Sequence, residues 1–163
     1  MENIDTLPPG MEERGRRYVA RPEVTFGVTR GAARFLRALG FACVVELPLA
    51  TGRRVDIAAL GPRGEIWVVE VKSSVEDFRT DRKWADYRDY CDRLFFAVTA
   101  EFPCDLLPGD VGLILADAYD ARIMREAPDH RLAGARRKAM TLRIARLAAA
   151  RLHGLADPPA FGA

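Results

Sequence analysis

The sequence predicts an α/β fold in which a mixed central sheet is flanked by helices and a basic helix closes the chain. Three observations predict it. Between residues 43 and 72, three strand-like runs follow one another with only short turns between them, the pattern of an antiparallel meander. LFFAVT, residues 94–99, is apolar almost without interruption, as a strand covered on both faces is, and the helical stretch before it can cross over to set it parallel to the third strand. Helical periodicity precedes the first strand and follows the last.

At 163 residues and 49% hydrophobic, the chain carries enough apolar material for one domain with a single core. Residues 1–20 are polar, proline-bearing and aperiodic, and are expected to be a mobile arm before a folded domain at 21–155, with 156–163 as a tail. In TFGVTRGAARFLRALG, Thr25 suits an N-cap with Glu23 ahead of the helix. Val28, Ala32, Phe35, Leu36 and Leu39 recur at helical spacing, and Gly40 is placed to stop it. CVVELPL is the first strand, and Pro48, which cannot donate to a ladder, puts it at a sheet edge.

RRVDIAAL and EIWVVEVK, joined by GPRG, are the second and third strands. Ser74 with Asp77 resembles a capping box for a short turn, and TDRKWADYRDYCDR follows as a helix presenting Trp84, Tyr87 and Cys91 to the core. VGLILAD follows the 94–99 strand as a further buried strand, and ARIMR, 121–125, adds a short one. ARRKAMTLRIARLAAARLHG is a long helix. Met140, Ile144 and Leu147 form one apolar row, Leu142, Ala145, Ala149 and Leu152 another, and Arg136, Arg143 and Arg146 a stripe between them.

Several function classes fall away. There is no apolar run of membrane-spanning or signal-peptide length, so a soluble, cytoplasmic protein is expected. Cys43, Cys91 and Cys104 include no CxxC pair, which argues against disulfides and a zinc knuckle, and Cys91 reads as a small buried hydrophobe. His130 and His153 lack partners at metal-ligand spacing, and no GxSxG or Walker-type loop occurs. Net charge is only +2, yet His130 to Ala156 contains no acid and seven Lys or Arg residues, a basic segment suited to a polyanion.

The strands carry the most informative charges. Alternation puts Ile66, Val68, Glu70 and Lys72 on one face of the third strand, so that face begins apolar and ends ionic. One register closing around residues 61–65 sets Asp56 opposite Glu70, and the same counting over Ala50 to Gly52 sets Glu46 opposite Asp56. Carboxylates placed opposite each other repel. A divalent cation offsets that repulsion, Mg2+ being held by one or two carboxylates together with waters and phosphate oxygens. The competing reading is an ordinary solvated sheet face with Lys72 neutralising one acid.

Asp56 in the second strand, then Glu70-x-Lys72 at the end of the third with thirteen residues between the acids, in an α-β-β-β-α-β order, resembles the PD-(D/E)XK nuclease superfamily. Val55 stands where the superfamily's name has proline. Over nearly the whole chain, the stretches RPEVTFGVTRGAARFLRALG, VEVKSSVEDFRTDRKWADYRDYCDRLFFAV and ARRKAMTLRIARLAAARL look like the MmcB-like DNA-repair family, a branch of that superfamily.

The resemblance implies a restriction-endonuclease-like fold and hydrolysis of DNA phosphodiester bonds, with Asp56, Glu70 and Lys72 catalytic. Asp56, Glu70 and the Val71 carbonyl would ligate Mg2+ or Mn2+, with Glu46 as a candidate third acid in place of the one such nucleases often carry in the first helix. Ser73, Arg79 and Lys83 are candidate phosphate contacts beside the site, and Arg136, Arg143 and Arg146 would hold the backbone at a distance. Trp84 and Tyr87 are expected to pack rather than stack on bases. The implied partners are DNA, other DNA-repair proteins and a second copy of the chain, through the apolar row of the last helix. The alternatives are a non-catalytic DNA-binding or recruitment module that keeps the fold and, last, a metal-free structural domain.

Overall fold

The computed structural model describes residues 21–157; the expected arm at 1–20 and residues 158–163 of the expected tail lie outside the described residues. Helix α1 (Arg21–Ala38) starts earlier than the pattern suggests. Thr25 is not its cap but lies a turn inside, where its carbonyl accepts from Thr29 Oγ1 at 2.7 Å, and Glu23 belongs to the first turn instead of preceding the helix. Proline near the start misled the boundary: in a first turn its missing N–H removes no helical bond. The stop is as expected. Gly40 has φ of +90°, with Phe41 N bonding Leu36 O and Gly40 N bonding Arg37 O, a glycine-terminated helix end.

Six strands follow: β1 (Ala42–Pro48), β2 (Arg54–Leu60), β3 (Ile66–Val71), β4 (Arg93–Val98), β5 (Gly112–Ala116) and β6 (Ala121–Arg125). They lie side by side in chain order. β1 to β3 are the antiparallel meander, β3, β4 and β5 run parallel, and β6 returns antiparallel. The sheet is therefore mixed, with β1 at an edge as Pro48 requires.

The short turn expected after Ser74 is a helix of its own, α2 (Val75–Thr80), and the stretch expected as a helix over 80–93 forms only a 3-10 helix at Trp84–Tyr90. Ser74 does cap α2, its Oγ accepting from Asp77 N. The break between them falls at Asp81, which caps α2 in an extended conformation and takes Lys83 N on its own carboxylate at 2.9 Å. An Asp side chain competing for backbone N–H groups in this way is a known helix breaker. Trp84, Tyr87 and Cys91 still face the core, and the Trp84 ring packs edge-on against Phe96.

Helix α3 (Gly134–Ala156) closes the described chain. Each face of the sheet has its own core. Ile57, Val69, Phe95 and Ile114 pack with Val28, Ala32 and Leu36 of α1, and Val68 and Phe96 pack with Tyr87, Met140 and Ile144 on the other side. The expected Met140 row is thus the buried one, while Leu142 and Leu152 are exposed. α1 comes so close to the β5–β6 turn that a Cβ at Gly31 would lie 2.0 Å from the Asp117 carbonyl oxygen. No described helix is long and apolar enough to cross a membrane.

Candidate active site

The β2–β3 ladder runs from Leu60↔Ile66 to Ile57↔Val69, and its continuation sets Asp56 opposite Glu70, the register the charge pattern called for. There the two strands stop bonding backbone to backbone and the carboxylates take over. Asp56 Oδ2 accepts from Val71 N at 2.7 Å, and Glu70 Oε1 accepts from Asp56 N at 3.2 Å. Each acid is pinned by the other's strand. Both line one cavity of about 1150 Å³, walled by α1, the outer ends of β1 to β3 and α2.

The pair is short of positive charge. Glu70 is only 4% exposed, and burial, followed by the nearby Asp56 charge, pushes its carboxyl up to about 8. Burial also holds Asp56 above the usual carboxylate range, against the pull of the Val71 N–H. Lys72, equally buried, points its Nζ to Asp81 Oδ2 at 2.6 Å, and not to either acid of the pair. Asp81 is lowered: burial would raise it, but the bonds from Lys72 and from Lys83 N outweigh that.

Two carboxylates under mutual repulsion, with the nearest ammonium committed elsewhere, fit a cation. Among the described residues no group of three or more His, Cys, Asp or Glu is placed to hold a metal ion. Glu46 therefore does not join Asp56 and Glu70 as a third acid. It falls opposite Asp56 in register, but its backbone takes a left-handed φ of 51°, which interrupts the ladder between Val45 and Leu47. Its carboxylate, at the cavity rim, instead pairs with Arg54 at 3.3 Å.

Val71 and Ser73 line the cavity, and Ser73 is turned to Asp77, whose carboxylate accepts from its N at 3.2 Å. Arg79 and Lys83 are exposed and stand outside the lining. So does the arginine stripe of α3. Arg136 bonds Asp89 O and lies over Tyr90, while Arg143 donates to the Pro48 carbonyl of β1, so both have structural work at or near the sheet edge. Arg146 is exposed. Trp84 and Tyr87 pack as expected, and Cys91 is a buried thiol pushed up to about 12.

Sequence reasoning missed the α1 wall, where Thr25, Phe26, Thr29, Arg30 and Ala33 face the cavity. The signal was present as a second stripe beside the Val28, Ala32, Leu36 row. It also missed Glu76 and Asp77, two further carboxylates in the lining, and Asp92, remote from the site but buried. Asp92 accepts from Ile66 N, Leu132 N and both Arg137 NH groups, the last two at 2.6 Å, and so ties β3 to α3.

A match to the family described as DNA repair protein MmcB-like runs over residues 14–159. Among solved structures, a protein of unknown function from Silicibacter pomeroyi is similar, with 50% sequence identity and a TM-score of 0.81 over 90% of this chain and 98% of that one. No curated protein matches the chain.

Proposed function

The chain belongs to the MmcB-like family of DNA repair proteins, and from that premise we propose that it is a metal-dependent deoxyribonuclease of the PD-(D/E)XK type acting in repair. One observation carries the reading: Asp56 and Glu70 are held against each other in a cavity, both raised by burial, and among the described residues no ammonium is bonded to either. A structural acid pair of that kind only destabilises a fold; a cation site needs it.

Asp56, Glu70 and the Val71 carbonyl would hold one Mg2+ or Mn2+, with waters and phosphate oxygens completing the shell. When bound, the metal supplies charge stabilisation at the phosphodiester and lowers the pKa of an attacking water. The protein's own groups do the rest. Val71 N and Asp56 N keep the two carboxylates from swinging apart. Lys72, at the same end of β3, brings an ammonium to the cavity, where it balances charge developing on the phosphate. Asp81 holds that ammonium in place through the 2.6 Å bond. Ser73 offers a hydroxyl to a phosphate oxygen.

The test is cleavage of labelled DNA structures with Mg2+ or Mn2+ by wild type, Glu70→Ala and Lys72→Ala. Cleavage by wild type alone supports the proposal. The position of Lys72 on Asp81, and the absence among the described residues of a third acid placed to share a metal with the pair, favour a second reading, a DNA-binding module that recruits other repair proteins. Salt-sensitive binding without cleavage, unchanged by Lys72→Ala, would establish that reading and overturn the nuclease.

A further inference from the structure

The cavity has a wall that phosphodiester hydrolysis alone does not require. On α1, Val28, Ala32 and Leu36 turn to the core, and the neighbouring face, with Phe26, Thr29, Arg30 and Ala33, turns to the acids. Phe26 is left 69% exposed there, two residues ahead of Val28 in the buried row. Val45, itself partly exposed, extends the apolar surface from β1.

From this wall we infer that the DNA segment bound at the site is single-stranded, with an unpaired base stacked on Phe26. The inference rests on the reading of Asp56 and Glu70 as the phosphodiester site. A duplex turns sugars and phosphates outward and keeps its base faces stacked on each other, so it has nothing to lay against a phenyl ring. An unpaired base has a free face, and aromatic side chains beside basic ones are how single strands are held without reading sequence. Arg30, one turn after Phe26, is the cation of that pairing.

Depth points the same way. Glu70 is almost completely buried at the cavity floor, so the scissile phosphate has to descend to it. The wall from Thr25 to Ala33 spans about 12 Å of helix, at about 1.5 Å per residue. That is the length of three to four stacked nucleotides at about 3.4 Å each.

The experiment is fluorescence anisotropy, in EDTA so that nothing is cut, with a fluorescein-labelled oligothymidine and a blunt duplex of equal length. The proteins are wild type, Phe26→Ala and Phe26→Trp, and circular dichroism confirms that each is folded. Wild type is expected to prefer the single strand. Phe26→Ala should weaken that binding by on the order of 5- to 150-fold and leave duplex binding unchanged. Phe26→Trp should restore it and add an emission change on binding that wild type lacks.

Equal single-strand binding by wild type and Phe26→Ala, or parallel losses on both DNAs, overturns the inference. Cleavage in Mg2+ is assayed separately, so the two ideas fail separately. Cleavage without any Phe26 effect leaves the nuclease standing and removes the stacking wall. Phe26-dependent binding without cleavage keeps the wall and removes the nuclease.

Discussion

Glu70→Gln should make the metal-free protein more stable at alkaline pH while removing its response to Mg2+. The carboxyl of Glu70 rises from 4.5 to about 8 on folding, mainly through burial and then through Asp56. A group raised in the folded state binds its proton more tightly there than in the unfolded chain. Its contribution to stability is therefore complete below pH 4.5 and is lost as pH climbs through 8. At about 1.4 kcal/mol per pH unit, the loss is on the order of 5 kcal/mol at most. Because Glu70 is 4% exposed, solvent screening does little to reduce it, but relaxation of the site and entry of water lower the ceiling.

Glutamine keeps the shape and an oxygen for the Asp56 N–H, and it cannot ionise. At pH 5 the variant and the wild type should melt together. At pH 8.5, in EDTA, the variant should melt higher, and a gain of half the ceiling raises Tm by on the order of 5 to 10 °C for a chain of this size. Adding Mg2+ should reverse the order, because a cation that binds only the folded state stabilises it by about 2.7 kcal/mol at a hundred times its Kd. The assay is thermal unfolding across pH with and without Mg2+. Identical melting of the two proteins at pH 8.5 in EDTA would refute the reasoning, since it would mean that Glu70 carries no uncompensated charge.

Three other outcomes follow from contacts outside the pair. Asp92→Ala leaves Ile66 N and Leu132 N without their acceptor in a buried corner and takes the carboxylate partner from the partly exposed Arg137, and should lower unfolding stability in urea by about 2–5 kcal/mol. Burial opposes ionisation of Asp92, but the Arg137 bonds win and hold it below its ordinary range, so the cost should shrink as pH falls below 4. Gly31→Ala should destabilise by about 1–3 kcal/mol in a thermal melt, although alanine is the better helix former, because its Cβ has no room beside Asp117 O; a stabilised variant would show that α1 does not dock on that turn. Arg146→Ala should reduce the slope of log K against log salt for single-stranded DNA by about 0.7, the effect of one phosphate contact, and an unchanged slope would take the α3 stripe off the DNA path.

What the sequence made legible was whatever obeys a period. All six strands, including the short β6, and the parallel placement of β4 follow from alternation, apolar runs and turns, because burial on one or both faces forces those patterns. The Asp56–Glu70 pairing was legible for the same reason: with a side-chain period of 2, fixing the apolar faces of a hairpin leaves only registers two residues apart, and the one closing around residues 61–65 makes the pair. The late start and the 3-10 geometry of the helix expected over 80–93 were not legible. They are decided by single side-chain bonds, Asp81 to Lys83 N and to Lys72, which compete with the helix at close to equal energy and leave no periodic trace. Glu46 failed in the same way, since counting assumed a regular strand and a single left-handed residue interrupted it.

The place where regularity ends is also where the chemistry is gathered. Up to Ile57↔Val69, hydrogen bonds between β2 and β3 run backbone to backbone; one residue on, the acids have replaced them. A carboxylate that accepts a ladder N–H is positioned as firmly as the strand itself, without needing a packed side chain around it, so the cavity can stay open on its α1 side. Moving the pair one step inward would bury it among Ala58 and Val68, where no cation or phosphate could reach; one step outward, no strand would hold it. The same end of β3 sends Lys72 N to Ala97 O, continuing the parallel pairing with β4, and so keeps the third charged residue in register with the other two. A rigid sheet thus delivers Asp56, Glu70 and Lys72 to the floor of the cavity, while Phe26 and Arg30, the residues proposed to meet the rest of a bound strand, come from a helix packed across that sheet.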